Sequence, residues 1–152
     1  MKHGFINKDI IDILFRASFS FIFLGLGGEH ILSDELIQKL MPTWIPFPGY
    51  VSILCGILLM IGGILIVIGY KIRLASLILG LFIVGVTAAV HAPALFATPD
   101  FIAPDNEWIW SILQRSNFAK NLCLLGVCLL LSQYKPGRYS VTRYLEKKKS
   151  QQ

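Results

Sequence analysis

The sequence predicts an all-α integral membrane protein: an antiparallel four-helix bundle, N-in/C-in, with a short interfacial helix in the first outer loop. Three observations predict it. Four long apolar runs, each closed by charge or proline, fill most of the 152 residues. A helix that crosses a hydrocarbon core about 30 Å thick needs roughly 20 mostly apolar residues. Composition agrees, with 55% hydrophobic residues, 15% charged residues and a mean hydropathy of +0.64, where soluble domains carry about one quarter charged residues. The third observation is where the charge lies. The net charge is +5. Lys2, Lys8, Lys71, Arg73, Lys135, Arg138, Arg143 and Lys147 to Lys149 occupy the two ends and the second connection, regions that four crossings place on one side. The positive-inside rule makes that side cytoplasmic.

Taken in order, the helices fall at about 10–30, 50–70, 74–91 and 118–134. Residues 1–145 form the membrane domain and 146–152 a basic cytoplasmic tail. Helix one follows a basic start, contains Asp12 and Arg16, and ends in Gly27-Gly28-Glu29-His30 rather than a small-x-small cleavage site, so it reads as a retained span. Asp12, Arg16, Ser20, Phe23, Gly27 and His30 lie within roughly 40° of one line at helical periodicity, which predicts an inward-facing stripe. Asp12 and Arg16 are spaced as an i,i+4 ion pair.

Ser33-Asp34-Glu35 opens the interfacial helix with a hydroxyl cap and acids in the first turn. Pro42, Pro46 and Pro48 end it. Helices two and three carry glycines and alanines that permit close backbone approach, and the short Tyr70–Arg73 connection makes them an antiparallel hairpin. The second outer loop, about 91–117, holds Trp108 and Trp110 as interface markers. Cys55, Cys123 and Cys128 all fall in apolar helices and form no C-x-x-C, so they read as buried small side chains, with neither a disulfide framework nor a zinc site.

The topology brings Glu29, His30, His91, Lys120 and Asn121 to one depth near the outer leaflet. Ionisable groups inside a membrane are candidate sites, and histidine titrates near neutral pH. These five are the candidate ligand-binding residues. Each has a plainer reading as a helix-end residue meeting headgroups and water. Two histidines and a carboxylate could hold a metal, but no tight spacing requires one, so none is assigned. No phosphate loop, nucleophile elbow or dinucleotide fingerprint occurs. No motif marks a catalytic residue, and nucleic acid is not an expected partner, because the basic tail follows a crossing and is expected to meet anionic lipid headgroups.

Read in order, the chain resembles the DoxX family of small bacterial membrane proteins. The resemblance rests on Leu14-Phe15-Arg16, Gly27-Gly28-Glu29-His30, Met41-Pro42-Thr43-Trp44-Ile45-Pro46, Gly56 with Gly62-Gly63, and Arg73-Leu74-Ala75. It continues through His91 and Asn117-Phe118-Ala119-Lys120-Asn121-Leu122 to Gly137-Arg138-Tyr139-Ser140. It implies a four-helix protein of the bacterial inner membrane, tied to respiratory or thiol redox systems. Many relatives carry a glutamate three residues before the Gly-Gly of helix two, where this chain has Leu59.

Three functions follow as expectations. The first is a redox-linked component whose histidines hydrogen-bond a quinone headgroup while a partner protein supplies or accepts electrons. The second is a non-catalytic scaffold or accessory subunit. The third is a small-molecule carrier, which would need a homo-oligomer.

Overall fold

The computed structural model describes residues 7–32 and 34–152. Every regular element among them is helical. The order is α1 (Lys8–Leu32), α2 (Asp34–Leu40), α3 (Pro48–Ile68), α4 (Ile72–Val86), α5 (Glu107–Leu131) and α6 (Val141–Lys149), with short irregular helices at Thr87–His91, Pro93–Leu95 and Pro104–Asn106. Three segments are long and apolar enough to cross a membrane: Lys8–Leu32, Pro48–Ile68 and Ile72–Leu95. Their outer faces agree. Phe21, Leu54 and Leu81 are 76%, 65% and 74% exposed, an apolar surface that water would penalise and hydrocarbon accepts.

Local chemistry fixes the ends of these helices. Pro48 sits at the start of α3, where its missing N–H costs nothing. Gly69 ends α3 with φ +71°, and the Gly69 and Tyr70 N–H groups close back on Ile66 and Leu65 carbonyls. This left-handed cap turns the chain at once into α4. Pro93 disrupts the other end of that helix. It cannot donate to the carbonyl four residues back, and the helix widens before it, so that Ala92 N–H reaches the Thr87 carbonyl at 2.8 Å.

Between membrane helices close contact replaces the hydrophobic drive. α1 packs most extensively on α3, and the two run antiparallel. Their closest approach is glycine on glycine: a Cβ at Gly27 would stand 3.0 Å from the Gly56 carbonyl oxygen, and one at Gly56 2.8 Å from that of Gly27. Gly62 similarly receives Leu79 of α4. α4 then packs against α5, and a ladder of rings (Phe15, Phe19, Phe23) joins α1 to the shared core with Tyr134, Cys128 and Leu131. Asp12, Arg16, Ser20, Phe23 and Gly27 all belong to the buried face of α1, and His30 is half-buried. Leu59 is 1% exposed and part of the core.

Several expectations need correction. The fourth long helix begins at Glu107 rather than near Phe118 and ends at Leu131. Gln114, Arg115, Asn117, Lys120 and Asn121 interrupt the apolar run, but no glycine or proline interrupts the helix there, and these residues tolerate helical backbone. Trp110 consequently lies in a first turn. It is 8% exposed, edge-on to Phe101, with its N–H donating to the Ala97 carbonyl at 3.3 Å. Of Trp108 and Trp110, the former, 64% exposed, keeps the exposure expected of an interface marker. Cys128 is buried, but Cys55 is half-buried and Cys123 exposed. The join expected at residues 145–146 falls inside α6. The Ser33 cap and Lys2 lie outside the described residues.

Candidate functional site

Polar groups gather at both ends of the helices. At the end that carries α6, Arg16 is 1% exposed. Its guanidinium donates to Asp12 Oδ2 at 2.9 and 3.1 Å, to the Tyr139 carbonyl at 2.7 Å and to the Val67 carbonyl. The Tyr134 hydroxyl donates to the other oxygen of Asp12. One side chain thus ties α1 to the end of α3 and to the segment that follows α5. That segment, Gly137-Arg138-Tyr139-Ser140, is a strap across the helix ends. Gly137 fits because a Cβ there would meet Asp9 and Asp12 carboxylate oxygens at 3.0 and 3.1 Å. Arg138 pairs with Asp9 at 3.1 Å, and Thr142 donates through both N–H and hydroxyl to the Gly69 carbonyl. The Tyr134 phenol, beyond the end of α5, is pushed up to about 12 by burial first and by its bond to Asp12 second. A buried ion pair is tolerable only with such secondary partners, which satisfy the remaining donors and lone pairs.

The opposite end carries the five candidate residues, whose hydrogen bonds fall into separate pairs. His30 Nδ1 lies 3.0 Å from Ser52 Oγ on α3. Ser52 spends its single proton on the His30 carbonyl, at 3.1 Å, so the imidazole must supply the donor and Nδ1 carries the hydrogen. His91 Nδ1 lies 2.8 Å from the carbonyl oxygen of Gln114 on α5, and the same tautomer follows. Asn121 donates to the Thr87 hydroxyl at 2.9 Å, and Lys120 to Asn117 at 3.0 Å. Glu29 is exposed, within electrostatic reach of His30 and Lys120.

The result is a two-rung polar seam between the widened turn after α4 and the middle of α5, with His30–Ser52 as a separate pair between α1 and α3. Gln114 and Asn121 are 3% and 5% exposed. Both histidines are oriented through Nδ1, and among the described residues neither Nε2 has a hydrogen-bond partner. In the neutral rings each Nε2 is a lone-pair acceptor on a half-buried side chain. No group of three or more His, Cys, Asp or Glu among the described residues could hold a metal ion.

The sequence does not single out Gln114, Thr87, Ser52 or Tyr134, and it marks Tyr139 only within the Gly137–Ser140 motif. Spacing offered a signal for two of them: Gln114 and Asn121 are seven residues apart and Thr87 and His91 four apart, so each pair shares a helix face. Ser52 and the two tyrosines act through tertiary contacts that no periodicity marks.

No curated protein and no solved structure matches the chain. The family model described as DoxX matches residues 11–92, from the second turn of α1 to just past His91. The protein is a member of the DoxX family.

Proposed function

We propose that the protein is a redox-linked component of the bacterial inner membrane, crossing it four times with both termini cytoplasmic. In this reading α5 is the fourth crossing and α2 lies in the outer interface. The polar seam and His30 face the outer leaflet, where the head of a membrane quinol would donate a hydroxyl to Nε2 of His91 or His30. On oxidation the quinol gives up two electrons and two protons. The electrons pass to a partner protein, the imidazole takes one hydroxyl proton as base, and water at the outer surface takes the other. The observation that carries the reading is the shared tautomer: two half-buried imidazoles held by Nδ1, each with an Nε2 lone pair unpartnered among the described residues.

A titration of the detergent-purified protein with a short-chain quinol tests this. Saturable binding that weakens on the order of tenfold in His91→Phe or His30→Phe is expected, the scale of one lost hydrogen bond to a charged or well-placed group. Absence of saturable binding, or binding that both variants leave unchanged, would falsify it.

A second reading is a non-catalytic accessory subunit. It is favoured by the interlocked end around Arg16, which invests many contacts in rigidity beside a basic helix suited to docking. It expects His30→Ala and His91→Ala to be tolerated and removal of α6 not to be.

A further inference from the structure

We propose that α6 is a lipid-reading element: an interfacial helix that binds the headgroups of anionic phospholipids in the bilayer surrounding the protein. The inference is independent of any quinol chemistry and rests on three observations.

The first is placement. α6 is not a loose tail. The Ser140 hydroxyl caps its first turn by accepting from Arg143 N–H at 3.3 Å, and Thr142 holds the Gly69 carbonyl at 2.7 Å through its hydroxyl. Gly69 ends α3, a segment long and apolar enough to cross the membrane. The helix is therefore pinned at the level where hydrocarbon gives way to headgroups.

The second is the character of its surface. Tyr144 is 67% exposed and Leu145 39% exposed, and Tyr139 beside them is 50% exposed. At helical spacing Val141, Tyr144, Leu145 and Lys148 share an arc, with Thr142 turned to the protein. Aromatic and aliphatic side chains next to lysines form the pattern of a helix that lies in the interface plane.

The third is charge. Lys147, Lys148 and Lys149 are exposed and have no ion-pair partner among the described residues, while Glu146 is taken by Arg143 and Asp9 by Arg138. Lys71, at the tight turn that receives Thr142, and Lys135 are exposed at the same end. The cations thus exceed the acids there, and phosphodiester headgroups are the anions in reach. Each lysine near an anionic surface strengthens association about fivefold.

The full chain in lipid nanodiscs provides the test, read by hydrogen–deuterium exchange of the α6 amides. Discs of phosphatidylcholine alone are compared with discs containing one third phosphatidylglycerol. Exchange should slow at least about tenfold with the anionic lipid, and 0.5 M salt should reverse most of that gain. The triple variant Lys147→Gln/Lys148→Gln/Lys149→Gln, altered only at exposed positions, should lose it, while Lys39→Gln at the far end should keep it. Equal exchange in both discs would overturn the proposal and leave a solvated basic helix. Protection that ignores lipid charge would overturn it in favour of apolar insertion. Protection retained by the triple variant would equally remove these lysines from the account.

Discussion

The two ends of the helices solve the same problem in different ways. Both bury polar side chains among apolar helices, where an unmet donor or acceptor is costly. At the α6 end, Arg16 is met by a carboxylate and two backbone carbonyls, and Asp12 by Arg16 and Tyr134, so the donors and acceptors interlock across α1, α3 and the strap. At the loop end the polar groups hydrogen-bond in pairs, and two imidazoles each keep a nitrogen without a hydrogen-bond partner among the described residues. An interlocked network holds helices in register. Isolated pairs with spare acceptors leave room to engage something else. The same contrast appears in the backbone, where α3 stops in a tight left-handed glycine cap and α4 fades through a widened turn.

The contrast is broken most forcefully at Arg16. Arg16→Ala strands the Asp12 carboxylate in the core and should cost about 3–5 kcal/mol, read as a fall in the thermal midpoint in detergent. Replacing both members, Asp12→Leu with Arg16→Met, should recover a large part of that loss because no lone charge remains. Gly69→Ala comes next. Its φ of +71° and the clash of the new methyl with the Ser140 Cβ predict a loss of about 2–4 kcal/mol. If it unfolds no more readily than the parent, the strap is not docked as described.

At the loop end the effects should be smaller. Gln114→Leu removes one hydrogen bond to His91 and should cost about 1 kcal/mol, with a similar cost for Asn121→Leu. Because the two rungs are separate pairs, the double variant should be close to additive, unlike substitutions within the Arg16 network.

The smallest expected effect is a pH dependence at Tyr134. Its folded-state value is raised to about 12 from 10. A raised value favours the neutral phenol in the fold, so the contribution is complete below about pH 10 and declines as pH rises toward 12. The parent should lose midpoint over that window more steeply than Tyr134→Phe. Parallel profiles would remove Tyr134 from the network.

Sequence periodicity reads the apolar architecture well, because lipid demands long apolar helices and a helix repeats every 3.6 residues. The stripe Asp12, Arg16, Ser20, Phe23 and Gly27 is legible for that reason. The start of α5 is not. Its first half carries amides and charges, of which Gln114 bonds the widened turn, and hydropathy treats them as a loop. The strap is equally hidden, since Gly137 to Ser140 take their meaning from Asp9, Asp12, Arg16 and Gly69, residues far away in the chain. Depth along the membrane suggested that Glu29, His30, His91, Lys120 and Asn121 would converge. Glu29 is within electrostatic reach of His30 and Lys120, but azimuth sets the hydrogen-bond partners: His30 turns to Ser52 of α3, while His91 and Asn121 join the turn after α4 to α5.

The most direct test of this division is to compare quinol binding in His91→Phe and Tyr134→Phe, one variant at each end. The account predicts that His91→Phe weakens saturable binding on the order of tenfold while Tyr134→Phe leaves the affinity where it was. Equal behaviour of the two variants, or a loss confined to Tyr134→Phe, would contradict it.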